Sequence, residues 1–320
     1  MLSPIGRLDR DAAVFIAGHR GLVGSALLRA LQAEGFTNVL VRQRSELDLT
    51  DRAATFDFLF EARPQVVVLA AAKVGGILAN STFPADLLSE NLRIQVNVLD
   101  AAVAARVPRV LFLGSSCIYP RLAEQPIKES ALLTGPLEET NDAYAIAKIA
   151  GILQVQAVRR QHRLPWISAM PTNLYGPGDN FSSSGSHLLP ALIRRYDEAK
   201  AAGAPEVTNW GTGDPRRELL HVDDLASACL HLLEHYDGAA HVNVGTGVDH
   251  TIREIPAMVA DAVGYGGATT WDATKPDGTP RKLLDVSVLH ASGWSPRIPL
   301  REGIESTVAW YRENVTTLRK

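Results

Sequence analysis

The sequence predicts an α/β protein built on a doubly wound parallel sheet, and three observations lead to that prediction. Short β-branched strands alternate with amphipathic stretches of helical length along the first half of the chain. The strand at 66–70 is apolar throughout, which is typical of a parallel strand buried on both faces. A glycine-rich turn joins the first strand directly to a helix. The chain has 320 residues, enough for one large α/β unit with an added lobe.

Each predicted strand is followed by a segment that returns the chain to the same edge of the sheet. The predicted strands cover 13–17, 38–41, 66–70, 109–113 and 166–170. The helices between them cover 25–34, 52–62, 84–105 and 143–161. The helix at 188–202 and the stretch 207–219 are assigned to a smaller lobe, and 221–235 with 240–245 are expected to return to the main sheet.

The chain is expected to form a Rossmann-type sheet with a smaller, interleaved C-terminal α/β lobe for the substrate. Residues 1–173 and about 219–247 form the predicted dinucleotide domain, and about 174–218 with 248–320 form the lobe. The stretch 172–187 is rich in Asn, Gly, Ser and Pro, which indicates a functional loop and not core.

Composition argues against several classes of function. The net charge of −3 does not favour binding to nucleic acid or to an anionic membrane through bulk charge. Residues 1–12 lack the apolar core of a secretory signal, and the apolar run 66–72 is too short to span a bilayer. The two cysteines, Cys117 and Cys229, make no disulfide framework, so a reducing cytoplasm is the expected location. No metal site is predicted.

The first strand runs into the turn Gly18-His-Arg-Gly21-Leu-Val-Gly24 and then into a helix. Glycines at such a turn allow close approach of the backbone, and the helix N-terminus favours a diphosphate. The spacing departs from the commoner G-x-G-x-x-G, and the alternative is a glycine turn that binds no ligand. The strand before the turn and the helix after it favour a dinucleotide site.

The residues after the second strand distinguish between NAD and NADP. An acidic residue there would bind the ribose hydroxyls of NAD. This chain instead has Arg42 and Arg44, with Arg20 inside the glycine loop. Guanidinium groups match a 2′-phosphate, so NADP(H) is predicted, and the alternative is that these arginines are solvated surface residues. Asp48 is expected either to contact the adenine or to cap a helix.

A phenol and an ammonium lie one helical turn apart in Tyr144-Ala-Ile-Ala-Lys148. The ammonium is expected to lower the pKa of Tyr144, so that the tyrosine can exchange a proton near neutral pH. Ser115, which follows the fourth strand, could hydrogen-bond a substrate carbonyl, and the alternative is that it caps a turn. Beside a nucleotide loop, these residues predict carbonyl–alcohol redox chemistry.

These features resemble the extended short-chain dehydrogenase/reductase superfamily, and longer segments resemble its GDP-L-fucose synthase family. The segments are Ala70–Ile77, Gly114–Pro120, Met170–Pro177, Arg217–Asp224, Asn243–Gly247 and Lys275–Lys282. That family epimerises C3 and C5 of GDP-4-keto-6-deoxy-D-mannose and then reduces the C4 ketone with NADPH. The resemblance implies the same reaction here, and a homodimer built on the helices near 84–105 and 143–161.

The resemblance also assigns two further catalytic residues. Because the C4 ketone acidifies the hydrogens on C3 and C5, one group must remove a proton and another must return one on the opposite face. The family pattern implies that Cys117 is the base and His187 the acid. From the residues alone, Cys117 would be a small buried side chain and His187 a loop histidine. Cys229 lies in an apolar helix and is expected to be core.

The remaining expectations concern binding. The predicted cofactor-binding residues are Gly18, His19, Arg20, Gly21, Leu22, Val23, Gly24, Arg44, Ser45, Glu46, Leu47, Asp48, Leu49, Leu113, Gly114, Ser115, Ser116, Lys148, Pro171, Thr172, Asn173, Leu174 and His187. The predicted substrate-binding residues are Arg195, Trp210, Arg217 and Asp277, with Lys282 as a weaker candidate. Trp210 could instead belong to the core, and the serine-rich loop Gly178–His187 is expected to be a mobile flap.

The sequence is also compatible with two other functions. One is a nucleotide-sugar 4-epimerase or 4,6-dehydratase of the same superfamily, which would recycle bound NAD and need no external reductant. The other is a non-catalytic NADP-binding scaffold, because a fold alone does not prove activity. The second is disfavoured by the presence of Ser115, Tyr144 and Lys148.

Overall fold

The computed structural model describes residues 6–182, 185–275, 277–316 and 318. The start of the N-terminal stretch (1–5), Ser183 and Ser184 of the predicted flap, and Pro276 lie outside the described residues. The strands are β1 (Val14–Ala17), β2 (Val39–Leu40), β3 (Val66–Leu69), β4 (Arg109–Leu113), β5 (Ile167–Pro171), β6 (Asn173–Tyr175), β7 (Glu206–Trp210), β8 (Arg216–His221), β9 (Val242–Val244), β10 (Asp249–Thr251), β11 (Ala268–Asp272) and β12 (Arg281–Lys282). The helices are α1 (Leu22–Ala33), α2 (Arg52–Ala62), α3 (Ile77–Thr82), α4 (Pro84–Ala104), α5 (Asp142–His162), α6 (Leu188–Ala201), α7 (Val222–His235), α8 (Glu254–Val263), α9 (Ser287–Ala291) and α10 (Leu300–Asn314).

The main sheet confirms the predicted doubly wound architecture. Its six strands run parallel in the order β2-β1-β3-β4-β5-β9. Successive β1 side chains enter different cores: Val14 and Ile16 belong to the cluster that includes α1 and α7, and Phe15 to the cluster that includes α2, α4 and α5. Helices therefore cover both faces, which explains why β1 and β3 are apolar along their whole length.

The order of the strands places a crevice at one point of the sheet edge. The chain passes from β1 to β2 on one side of β1 and then crosses to β3 on the other side. Open parallel sheets bind ligands outside the carboxyl ends of their strands where the order reverses in this way. The carboxyl ends of β1 and β3 are therefore the expected position of a bound nucleotide.

A smaller lobe lies beyond β5, and it interleaves with the main sheet as predicted. β8 pairs with β6, β10 and β12, while β7 and β11 form a separate parallel pair. A third hydrophobic cluster joins α6, α8 and α10 around Tyr175 and Tyr196. Within the described ranges, none of the helices combines the length and the apolar character that a membrane crossing requires.

Candidate active site

The glycine loop forms a tight cradle at the switch point of the sheet. Gly18 has φ +92°, and a Cβ there would lie 2.7 Å from backbone atoms of Ala71, which follows β3. A Cβ on Gly24 would lie 2.1 Å from the Gly18 carbonyl oxygen. Gly21 is the N-cap of α1 and has no side chain to cap the helix, so its first turn is open to an anion.

His19 adds a second sign of a ligand at this cradle. Its Nδ1 atom is buried and has no hydrogen-bond partner among the described residues. Buried polar atoms in proteins normally have a partner, and a bound ligand is one source of it. The cradle and the unpartnered imidazole together fit a dinucleotide diphosphate.

The arginines after β2 lie at the rim of this cradle. Arg44 is exposed and pairs with Glu90 of α4 at 3.0 Å and with Asp48 at 3.6 Å. Arg20 donates a hydrogen bond to Gln43 at 2.9 Å, and Arg42 lies against a phenylalanine ring. All three guanidinium groups keep donors that could bind a phosphate.

The stretch after Arg44 corrects one expectation. Asp48 does not cap a helix: its carboxylate accepts hydrogen bonds from the backbone and hydroxyl of Thr50, at 2.9 and 2.8 Å. These hydrogen bonds, the backbone one above all, lower the pKa of Asp48. The cap of α2 is Asp51, which accepts from the Ala54 amide at 3.1 Å. Of the other predicted residues here, Leu47 is buried and Ser45, Glu46 and Leu49 lie at the surface or are half-buried.

Lys148 and Tyr144 lie on one face of α5, at the carboxyl end of β4. The Lys148 ammonium donates to the Leu113 carbonyl at 2.9 Å and lies 5.7 Å from the centre of the Tyr144 ring. Burial lowers the pKa of Lys148 to about 8. The expected lowering of the Tyr144 pKa is wrong for this structure, because burial raises that pKa. Tyr144 therefore holds its proton at neutral pH.

The turn after β4 carries Ser115 and Cys117. Ser115 caps a 3-10 turn at Ser116–Ile118, and its hydroxyl accepts from the Cys117 amide at 3.4 Å. Turn capping therefore occurs, and it uses only a lone pair of the Ser115 hydroxyl, whose one proton can be donated to the Cys117 sulfur or to a substrate oxygen. Cys117 is buried at 8% exposure. Burial raises the pKa of Cys117, and the ammonium of Lys282 opposes this most strongly.

Cys117 opens into a cleft that includes residues the sequence analysis did not single out. Among them are Glu138, Asn141 and Thr279, and Lys282, a weaker substrate-binding candidate from the sequence, lines the same cleft. The Oδ1 atom of Asn141 is buried without a partner among the described residues. Asn141 is the N-cap residue of α5, three positions before Tyr144, and it lies outside the helix that the sequence predicts from 143.

His187 lies at the start of α6, in the second lobe. It occupies the N-cap position of that helix, but its side chain makes no capping hydrogen bond. The adjoining loop packs against the turn after β3, because a Cβ on Gly76 would lie 3.4 Å from the Ser186 carbonyl. Desolvation by the surrounding protein lowers the pKa of His187, although the residue as a whole is exposed. Within the described residues, no hydrogen bond or ion pair joins its side chain to Cys117.

The four predicted substrate-binding residues all belong to the smaller lobe. Trp210 ends β7 with 69% of its surface exposed, so the alternative of a core role is wrong. Arg195 donates to Asn209 at 3.0 Å, and Arg217 donates to the Thr279 carbonyl at 2.6 Å. Asp277 accepts from the Thr212 hydroxyl at 2.7 Å. The lobe thus presents an exposed indole, with the Lys275 ammonium 5.7 Å from the ring centre, and two guanidinium groups.

Glu218 is a buried carboxylate that the sequence analysis quoted only as part of a motif. It accepts from the amides of Thr246 and Gly247 at 2.7 Å each and from the Leu284 amide at 3.0 Å. Its own carbonyl accepts from Asn173 at 3.0 Å. Glu218 therefore holds the end of β5 and the residues after it against the ends of β9 and β12. This stretch contains the four residues that were predicted to line the nicotinamide, Pro171, Thr172, Asn173 and Leu174.

Comparisons with known proteins agree with this geometry. The model of the NAD dependent epimerase/dehydratase family matches residues 14–245. The probable GDP-L-fucose synthase 1 of Oryza sativa subsp. japonica is 59% identical over 98% of this chain and 95% of the relative. The GDP-L-fucose synthase of Escherichia coli is 53% identical over 96% of this chain and 98% of the relative. A GDP-L-fucose synthetase from Naegleria fowleri bound to NADP superposes with a TM-score of 0.91 at 26% identity, covering 100% of this chain and 99% of that one.

Proposed function

Because the chain belongs to the NAD dependent epimerase/dehydratase family and, within it, to the GDP-L-fucose synthases, we propose that it converts GDP-4-keto-6-deoxy-D-mannose to GDP-L-fucose. It would epimerise C3 and C5 and then reduce the C4 ketone with NADPH. One observation carries this proposal: the Cys117 thiol lies beside Ser115, Tyr144 and Lys148 at the end of a single strand. Reduction alone would not require the thiol.

The family uses a nicotinamide cofactor, and NADP(H) is the form we propose. The cradle of Gly18, Gly21 and Gly24 would hold the diphosphate, and Arg44 the 2′-phosphate, which fits its exposed guanidinium group. Lys148 would hold the nicotinamide ribose. When bound, the reduced cofactor supplies a hydride to C4 of the sugar.

Epimerisation needs a base and an acid on opposite faces of the sugar ring. The Cys117 thiolate takes the proton from C3 or C5, and the C–H electron pair moves into the ring as the ketone becomes an enolate. His187 then gives a proton to the opposite face of that carbon, which restores the ketone with inverted stereochemistry. Both residues return to their starting states by exchange with water.

Reduction needs a proton for the C4 oxygen. Burial keeps the pKa of Tyr144 above its ordinary value, so the hydroxyl is protonated and can act as the donor. Once Cys117 has taken up a proton, the Ser115 hydroxyl can donate its own proton to the same oxygen and hold the ketone in place.

The nucleotide part of the substrate would bind in the smaller lobe. Arg195 and Arg217 suit the diphosphate, and Trp210 offers its exposed face to the base, with Asp277 nearby. Under this proposal residues 1–173 with about 219–247 bind the cofactor, and about 174–218 with 248–320 bind the substrate.

Incubation with the GDP-keto-sugar and NADPH tests the proposal. We expect one NADPH to be oxidised per sugar and the product to have inverted C3 and C5. The Cys117→Ser variant should stop deuterium uptake at C3 and C5 from deuterated water. If unaltered substrate remains and no NADPH is oxidised, the proposed function is wrong. Epimerisation at C4 or loss of water without NADPH would favour a nucleotide-sugar epimerase or dehydratase, and NADPH binding without any turnover would favour a scaffold.

Two further properties belong to this proposal. A homodimer would use the outer faces of α4 and α5, where Val96, Ile146 and Leu153 are exposed. Light scattering should give the mass of two chains for the wild type and of one chain for Leu153→Asp. A monomeric wild type would refute the dimer.

The cytoplasm is the proposed location because a thiol base must stay reduced, and Cys117 is free. Cell fractionation tests that location.

A further inference from the structure

Lys282 lies in the same cleft as Cys117, although the two residues are far apart in the chain. It ends the two-residue strand β12, which pairs with Arg216 and Arg217 of β8. The next residues are fixed by two hydrogen bonds, from the Leu283 amide to Gln125 at 2.8 Å and from the Leu284 amide to Glu218 at 3.0 Å. These contacts hold Lys282 at the cleft that Cys117 also lines.

The ammonium of Lys282 differs from the other cations near the thiol because it has no fixed partner. Within the described residues it forms no hydrogen bond and no ion pair. Arg281, its neighbour in the chain, pairs with Asp249 at 2.5 Å, and Lys148 is bound to the Leu113 carbonyl at 2.9 Å. A desolvated ammonium without an acceptor is unfavourable unless an anion lies nearby.

The charged and titratable groups that face the pair come from the segment before α5, from β8 and from α5. Glu138, before α5, already pairs with Arg121 at 3.3 Å, and Arg217 of β8 adds a positive charge. Tyr144 and Lys148 of α5 face the thiol. Burial raises the pKa of Cys117, and the opposing influences are the Lys282 ammonium first, then the Ser115 hydroxyl, then the Lys148 ammonium. Burial lowers the pKa of Lys282, and Cys117 is the first influence that opposes it.

We propose that Lys282 is a positioning residue whose charge favours the thiolate form of Cys117 over the neutral thiol, and so assists the base in epimerisation. This inference rests on the proposed function for its catalytic meaning. Lys282 transfers no proton: the thiolate alone takes the proton from carbon. The sequence named Lys282 as a weaker candidate for binding the GDP-sugar, and that expectation stays a prediction beside this role.

The ionisation of Cys117 tests the inference without any turnover. The pH midpoint of thiolate absorbance, taken against Cys117→Ser, should rise by about one unit or more in Lys282→Met. The rate of alkylation by iodoacetamide at pH 7 should fall about tenfold. Lys282→Arg keeps the charge and should return the midpoint towards that of the wild type. Arg281→Met removes a neighbouring charge that Asp249 already neutralises, so it should leave the midpoint unchanged.

An unchanged midpoint in folded Lys282→Met would overturn the inference. If that variant does not fold, NMR titration of Lys282 in Cys117→Ser decides: its pKa should fall when the thiolate is absent, and an unmoved value refutes the pairing. Deuterium uptake at C3 and C5 in Lys282→Met should recover as the pH is raised, which a purely structural role would not produce. A shifted midpoint in a protein that does not convert the GDP-keto-sugar would instead refute only the proposed function.

Discussion

Replacing Lys148 with methionine should stabilise the cofactor-free protein at neutral pH while abolishing its proposed reductase activity. Lys148 is 4% exposed, and burial lowers its pKa to about 8 from an ordinary 10.5. The folded protein therefore holds this proton less tightly than the unfolded chain does. The lowered pKa corresponds to a destabilisation of about 3 kcal/mol while the lysine is charged in both states.

The direction of the pH dependence follows from these proton affinities. Between pH 8 and 10.5 the unfolded chain binds more proton at this position, so the wild-type free energy of unfolding should rise across that window. This gain in the free energy of unfolding is lost as the pH falls through 8. Methionine cannot titrate, so Lys148→Met lacks this rise. Loss of the hydrogen bond to Leu113 costs about 1 kcal/mol, which leaves a net gain of about 2 kcal/mol at pH 7.

Urea unfolding followed by tryptophan fluorescence, at pH 7 and at pH 10, measures this difference. Lys128→Met is the matched control, because Lys128 is exposed and should give nearly the same difference from wild type at both pH values. Two outcomes would show that the buried charge does not destabilise the protein. One is a Lys148→Met variant less stable than the wild type at pH 7, and the other is a difference in the free energy of unfolding between the two proteins that does not change with pH. NADPH oxidation in the presence of the keto sugar measures the lost activity.

Three other predictions concern the site. Tyr144→Phe should reduce NADPH oxidation by about 10²–10⁴-fold, while deuterium uptake at C3 and C5 continues; equal loss of both would argue against separate roles. Gly24→Ala should abolish NADPH binding in calorimetry, because its Cβ would lie 2.1 Å from the Gly18 carbonyl. Gly266→Ala is the control and should bind NADPH normally, because a Cβ there would have no atom within 4 Å. If Gly24→Ala binds NADPH as well as the wild type, the glycine cradle is not the binding site. Arg44→Ala should raise the dissociation constant of NADPH about tenfold or more and leave that of NADH unchanged; an equal effect on both would remove Arg44 from the 2′-phosphate site.

The sequence predicts structure best where local residues determine it. The bounds of α2 and β4 agree with the prediction, since Asp51 caps α2, Pro64 follows it, and β4 is an uninterrupted apolar run after Arg109. The helix after the glycine loop was predicted from 25, but α1 starts at Leu22 because the backbone of Gly21 serves as the cap. Because glycine has no side chain, a glycine N-cap cannot be recognised by the capping residues that usually mark the start of a helix.

What the sequence could not predict depends on contacts between distant segments. Trp210 is exposed because β7 belongs to a two-stranded pair whose burial alternates along the strand, and that pairing with β11 is not local. Burial sets the direction of the Tyr144 pKa, and burial depends on the segments packed around the residue, which helical spacing does not determine. Lys282 reaches the thiol only because β12 pairs with β8.

The charges of the site also couple the two proposed reactions. A negative Cys117 raises the pKa of Tyr144 and of Lys148, after the larger effects of burial. While Cys117 is a thiolate, Tyr144 therefore holds its proton more firmly and Lys148 stays charged. Each proton that the thiolate takes from carbon removes that influence until Cys117 ionises again. Under the proposal, a separate cation at Lys282 allows the thiolate to form without drawing Lys148 away from its hydrogen bond to Leu113.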